Sequence, residues 1–260
     1  MDREARNETA ERTLIGRSEA GPPTWRVFYL VAGFGSIVFV LLLITALVID
    51  FLAPPPVHGG AETLEFIAAN KAPYVAEQVL WILPNVLAVL VFVALFLAVA
   101  PVDKSLALLG TLLGGLSWAL FLAIPVTSRG SLTLIYLSDQ YMSAAPAARD
   151  RFAIAAEAVV AENNTPAIVG VLSAAGILLI SIAMIKSPLP RAVSWLGVVT
   201  GSLGMLSEAL RHAAPAFYWG YGILLWAWFI AVGVVLVLLG RRTPNAVAPS
   251  SRDGSAGRER

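Results

Sequence analysis

The sequence predicts an all-α fold: a polytopic membrane helix bundle of six transmembrane helices, with a short extracytoplasmic helix between spans 3 and 4. Two observations carry this. Six apolar stretches, at 27–49, 72–100, 105–126, 166–185, 192–210 and 213–240, take up most of the 260 residues. At about 1.5 Å per residue, each can cross a hydrocarbon core of roughly 30 Å as a helix. The chain is also 58% hydrophobic and only 13% charged. A soluble domain carries about 25% charged residues, and the shortfall lies in those stretches.

The flanks are different in kind. Residues 1–24 hold four arginines and five acids with no apolar core. They read as a disordered cytoplasmic arm and not as a signal peptide. Residues 25–240 form the transmembrane domain, and 241–260, rich in Pro, Ser, Gly and Arg, read as a disordered cytoplasmic tail. A formal net charge of +1 gives no basic patch for nucleic acid. The absence of cysteine excludes disulfides, thiolate metal sites and thiol nucleophiles. His58 and His212 are too far apart in sequence to suggest a His-rich metal site. No metal and no cofactor is expected.

Orientation follows from the positive residues. With six spans both termini share a side, and 13 of the 18 Lys and Arg residues fall on it. Positively charged segments stay cytoplasmic, so both termini are expected inside. The loops at 50–71 and 127–165 are then outside, and the inner turns at 100–103 and 187–190 are short and marked by proline. Within the second outer loop, the Ala-rich run after Pro146, through Ala161, predicts a helix on the outer end of the bundle. Asp50 and His58 flank Pro54-Pro55-Pro56 and read as solvated.

Spans 3 and 5 carry matching features at an offset of 87: Pro101, Lys104, Gly110 and Gly114 against Pro188, Arg191, Gly197 and Gly201. Both hold GxxxG, which lets helix backbones approach closely in lipid. The match supports either a duplicated two-helix hairpin or the ordinary composition of spans. Either way the glycine faces are expected to pack, span 3 with span 5.

Ionisable residues intrude on the apolar stretches near one side only. On span 2, Tyr74, Glu77, Gln78, Trp81 and Asn85 form one helical stripe, with Pro84 inside it. Pro84 denies the Leu80 carbonyl its usual partner and favours a kink. On span 5, Glu208 is followed by Arg211 and His212 at i+3 and i+4. Two readings stand side by side. One is an outward-facing ligand pocket in which Glu77 and Glu208 face each other, with Arg211, His212 and Gln78 around them and Trp81 and Trp118 as walls. The other is an interfacial network in which each acid reaches water or a neighbouring base. Tyr218, Trp219 and Tyr221 read as an outer aromatic belt.

Span 5 is introduced by Leu189-Pro190-Arg191 and continues with Leu196-Gly197 and Gly201. With a polar outer loop after span 1 and an Ala-rich helix between spans 3 and 4, the arrangement resembles a family of bacterial six-span membrane proteins known only as a domain of unknown function. The resemblance covers roughly Trp25 to Gly240. It implies the topology and location in a bacterial inner (plasma) membrane as a multi-pass protein. It implies no activity and no catalytic residues.

Three function classes remain. The first is a protein that binds or transports a small polar or amphiphilic ligand, a lipid, or a proton at the acidic and aromatic pocket. The second is a structural or partner-binding subunit that recruits another membrane protein through its GxxxG faces. The third, an intramembrane enzyme using the two carboxylates and His212, lacks a nucleophile or metal, so the chain reads as no enzyme more readily than as one.

Overall fold

The computed structural model describes residues 25–56, 58–123, 127, 130–163, 165, 168–210 and 215–242. Among them the chain forms ten α-helices and one 3-10 turn. The helices are α1 (Arg26–Leu52), α2 (Gly60–Ala69), α3 (Lys71–Ile82), α4 (Asn85–Val99), α5 (Lys104–Ala123), α6 (Leu132–Ser143), α7 (Asp150–Asn163), α8 (Ile168–Ile185), α9 (Arg191–Ala209) and α10 (Pro215–Arg242). The turn, Pro146–Ala148, leads into α7.

The long helices form a ring in chain order. α1 packs on α3 and α4, α4 on α5, α5 on α8, α8 on α9 and α9 on α10, and α10 closes on α1. Lipid offers no hydrophobic force between helices, so close packing must hold such a ring together. Aromatic side chains fill its middle: Phe39 of α1 lies 5.3 Å from Trp118 and 4.7 Å from Phe229, ring centre to ring centre. Glycines close the crossings. A Cβ on Gly33 or Gly233 would lie 2.8 Å from the other's carbonyl oxygen, so α1 and α10 meet backbone to backbone.

The glycine faces of α5 and α9 are used, but not on each other. A side chain on Gly110 would strike Ile180, and one on Gly176 would strike the Gly114 backbone, so α5 crosses α8. A side chain on Gly201 would strike Ala174 and Leu178, so α9 crosses the same helix. α8 therefore stands between α5 and α9, and the expected direct packing of spans 3 and 5 is replaced by two crossings of α8. The sequence match does not extend to equivalent contacts: α5 uses its glycines on the following long helix, α9 on the preceding one.

Among the described residues, five stretches are long and apolar enough to cross a membrane: Arg26–Leu52, Lys71–Val99, Lys104–Ala123, Pro146–Ile185 (whose apolar part is α8) and Trp219–Arg241. α9, the expected fifth of six spans, is not among them. Its 19 residues include Arg191, Ser194, Thr200, Ser207 and Glu208, which lower its hydropathy. Several of these polar groups turn inward: Ser194, Thr200, Ser207 and Glu208 are buried, and Thr200 Oγ1 donates to the Leu224 carbonyl at 3.4 Å.

The loop segments hold more structure than expected. The Ala-rich helix is present as α7, but α6 precedes it and α2 occupies the first long loop. These three helices pack together as a cap around Leu64, Ile67, Leu134, Tyr141, Ala156 and Val160, and Tyr74 of α3 joins that cluster. Local chemistry starts them. Gly59 takes φ of 88° ahead of α2, a left-handed conformation suited to glycine, and Ser131 caps α6 by accepting from the Thr133 amide at 3.1 Å. Ser138 Oγ donates to the Leu64 carbonyl at 2.6 Å, and the Tyr141 hydroxyl donates to Glu65 at 3.2 Å. Burial pushes the Tyr141 phenol above its ordinary range, and the bond to Glu65 adds to the effect. At the opposite end of the bundle, Lys186 Nζ bonds Asp103 Oδ2 at 2.8 Å and ties the two short turns together. That hydrogen bond holds the Asp103 carboxyl below its ordinary range.

Candidate functional site

The polar stripe on α3 is buried. Tyr74, Glu77, Gln78 and Asn85 retain 2%, 1%, 0% and 4% of their surface. Trp81 is half-buried and packs against the hydrophobic core of the ring. A polar group under apolar surroundings must find a partner or carry a cost, and the partners here come from three places.

The first is the turn after α5. The Ser131 amide donates to the Tyr74 hydroxyl at 3.0 Å, and Thr127 Oγ1 donates to Gln78 Oε1 at 2.8 Å. Thr127 and Gly130 hold each other through the Thr127 amide, at 2.8 Å, and the Gly130 amide, at 3.0 Å. A side chain at Gly130 would collide with Tyr74 and Gln78, so glycine lets the turn lie directly on the stripe. Gln78 Nε2 is buried and has no hydrogen-bond acceptor among the described residues.

The second is the stripe itself. Trp81 Nε1 donates to Glu77 Oε1 at 3.2 Å, one helical turn away. The third is the break at Leu83 and Pro84, which separates α3 from α4. A proline nitrogen cannot donate, so the helical ladder lapses there. The Leu87 amide turns back to the Pro84 carbonyl at 2.8 Å, and Asn85 Nδ2 donates to the Trp81 carbonyl at 3.2 Å. Asn85 thus satisfies with its side chain a carbonyl that the broken helix exposes.

Trp118 lies within the aromatic core of the ring, 5.6 Å from Phe121 and 5.7 Å from Phe229 by ring centres, and its Nε1 has no acceptor among the described residues. Glu208, the next-to-last residue of α9, is 4% exposed and presses on Gly170 of α8. α3 and α9 are not packed on each other: α3 rests on α1, α1 on α10, and α10 on α9. The two acids sit on non-adjacent helices at the cap end of the ring. Arg211 and His212 lie outside the described residues. No group of three or more His, Asp or Glu side chains able to hold a metal occurs among the described residues.

One further acid belongs to this end of the bundle. Asp50, expected to be solvated, is fully buried near the end of α1, while His58 is exposed. The signal was present in the sequence. Ser36, Phe39, Leu43, Ala46 and Asp50 are spaced 3, 4, 3 and 4, so Asp50 continues the inward face of α1. Thr127, Gly130 and Ser131 carried no comparable signal, because their role depends on where the turn lands. Of the expected aromatic belt, Trp219 is exposed, stacking on Phe51 at 6.0 Å, whereas Tyr221 is buried.

A family model described as "Domain of unknown function (DUF4386)" matches residues 31–240. The chain belongs to this family. No curated protein and no solved structure matches it. The DUF4386 match takes in the ring, the cap and the α3 stripe, so all the geometry described above lies inside the family domain. The family brings no activity with it. The chemistry of this DUF4386 member has to be read from its own residues.

Proposed function

We propose that this integral membrane protein binds a small polar or amphiphilic ligand, or a proton, at the cap end of its bundle through the α3 stripe. Glu77 is the central group. Tyr74, Gln78, Trp81 and Asn85 shape its surroundings, and Trp118 borders the same aromatic core. Glu208, followed in the sequence by Arg211 and His212, contributes a second acidic locus at that end.

The observation that carries the reading is the burial of Glu77 and Gln78, at 1% and 0% exposure, on a span long enough to cross a membrane. Ionisable side chains inside a membrane are costly and mark ligand, ion or proton sites. A span broken by proline beside such a group is the arrangement that transporters use to expose backbone and side chains to a substrate. The glycine faces that would recruit a protein partner are occupied by α8 within the ring, which favours the ligand reading over the partner-binding subunit.

The same proposal has α9 crossing with its neighbours, giving six spans. Both termini are then cytoplasmic in a bacterial inner membrane, with the cap outside. The position of α9 between α8 and α10 in the ring supports this, as does the distribution of positive residues.

The test is proton uptake by purified protein in detergent, followed with a pH-indicating dye on stepwise acidification. Wild type is expected to take up about one proton per chain more than Glu77→Gln. Equal uptake removes the proton reading and leaves only a neutral or amphiphilic ligand for the site.

A further inference from the structure

We propose that the outward face of α8, between α5 and α9, holds an acyl chain of an anionic phospholipid, and that Lys186 and Arg191 bind the phosphate of that lipid at the end away from the cap. The site is on other helices than Glu77 and stands independently of the ligand reading above.

The first observation is that α8 is recessed. Its neighbours carry strongly exposed apolar residues: Leu109 and Leu116 of α5 keep 50% and 60% of their surface, and Trp195 and Val199 of α9 keep 57% and 46%. From Val169 to Ile185, by contrast, no residue of α8 is exposed. Glycine is the cause. Gly110 and Gly176 seat α5 on one flank of α8, and Gly201 seats α9 on the other, so both neighbours come close enough to stand proud of it. The half-buried residues Leu172, Ala175, Leu179 and Ile182 follow one another at spacings of 3, 4 and 3, the stripe a helix turns away from its packed face. The result is an aliphatic groove along a span, and an extended acyl chain is the shape that fills it.

The second observation is what stands at the end of the groove. Four residues beyond Ile182, the same stripe reaches the exposed Lys186. Arg191, exposed on the first turn of α9, is level with it. Gly197 of α9 lies against Ser181 of α8, and Arg191 and Lys186 are six and five residues from that contact, toward the same end. Trp195 is exposed one turn deeper, and Trp25 is exposed at this end of the bundle too. Tryptophan favours the level where headgroups meet hydrocarbon, so the two cations lie at phosphate depth. Lys186 bonds Asp103 and its ammonium keeps further protons to donate. Lys186, Arg191 and Asp103 together carry a formal charge of +1, the complement of one phosphodiester. α9 also begins without a side-chain cap, and the first amides of a helix favour an anion.

Lys104 supplies a control. It is a third exposed cation at this end, but it shares a helical face with Thr111, whose hydroxyl donates to the Phe92 carbonyl of α4. It therefore lies on the α4 side of α5, away from α8.

The groove opens to the bilayer, so a lipid there exchanges freely and is measured by adding it back. The full chain in detergent is titrated with phosphatidylglycerol, and native mass spectrometry resolves the first lipid bound. Arg191→Gln should weaken that step about tenfold or more, as loss of hydrogen bonds to a charged group does. Ala175→Leu, which fills the groove and touches neither cation, should weaken it about fourfold, the worth of one buried methylene. Lys104→Gln should leave it within about twofold, as for any exposed charge away from the site. Phosphatidylethanolamine with the same chains should bind at least about fivefold more weakly, because its ammonium cancels the headgroup charge. Wild-type affinity in Arg191→Gln or in Ala175→Leu would overturn the site. Equal losses in Lys104→Gln and Arg191→Gln would overturn it too, leaving a diffuse basic surface. Equal binding of the two lipids would overturn the recognition of charge.

Discussion

Trp81 and Glu77 are joined by a hydrogen bond of 3.2 Å from indole nitrogen to carboxylate oxygen, four residues apart on one helix. The bond does two things at once. It gives a buried carboxylate a donor, and it fixes a large ring at the edge of the hydrophobic core. Trp81→Phe keeps most of the ring and removes the donor. The expected cost is about 0.5–1.5 kcal/mol, the net worth of one hydrogen bond. It should be read as a lower melting temperature in detergent. An unchanged melting temperature would mean that the indole holds Glu77 by shape and not by hydrogen bonding.

The glycines divide into two classes. Gly201→Leu forces a side chain into the backbone of Ala174 and Leu178 and should destabilise the bundle by at least about 1–3 kcal/mol. Gly220 and Gly222 on α10 have nothing within 4 Å of a Cβ. Gly222→Ala should be neutral or stabilising by up to about 1 kcal/mol, from helix propensity alone. Comparable losses at Gly201 and Gly222 would remove the argument that α8 is held by close crossings.

The Asp103 and Lys186 latch predicts a pH effect with a definite sign. The folded carboxyl titrates below its ordinary value of 3.8, first because Lys186 bonds it. Its contribution to stability is therefore complete above about pH 4 and is lost as pH falls through the lowered value. The pair is exposed and open to salt screening, so the effect is small. Asp103→Asn should lower the melting temperature slightly at neutral pH and converge with wild type as pH falls through the lowered value, so that the acid limb of the profile is slightly flatter. A loss that is the same at acid and neutral pH, leaving the acid limb as steep as in wild type, would contradict the assignment.

Much of the fold was legible because membrane spans announce themselves by length and apolarity. The break at Pro84 followed from the cost of proline in that setting, whereas the stripe around Glu77 was legible only as a choice between a pocket and an interfacial network. What was not legible has a common cause. α2 and α6 are short, and their apolar residues, such as Leu64 and Ile67, or Leu134 and Tyr141, make sense only once three helices meet. The partners of Tyr74 and Gln78 come from residues 127–131, more than 45 positions away and without a motif. Glycine spacing in α5 and α9 correctly marked close crossings but carried no information about which helix would be crossed. Asp50 was misread because a neighbouring run of prolines outweighed its helical phase.

The proposed orientation is open to cysteine labelling in the cysteine-free chain. Gly60 is a poor site, since a side chain there overlaps the Ala153 backbone; exposed Glu62 and Tyr136 are better. An impermeant maleimide applied to intact cells should label cysteine at 62 or 136 and fail at 10 or 250. The reverse pattern would turn the cap toward the cytoplasm.

The central claim is that Glu77 holds a ligand or proton and is not merely a structural group. Native mass spectrometry of gently extracted protein tests the ligand directly. Wild type and Asp139→Asn, which alters an exposed cap ion pair away from the stripe, should both carry the same non-covalent adduct. Glu77→Gln, still folded by its melting curve, should carry none. An adduct retained at full occupancy in Glu77→Gln, together with proton uptake equal to wild type, would contradict the account and leave Glu77 a structural partner of Trp81.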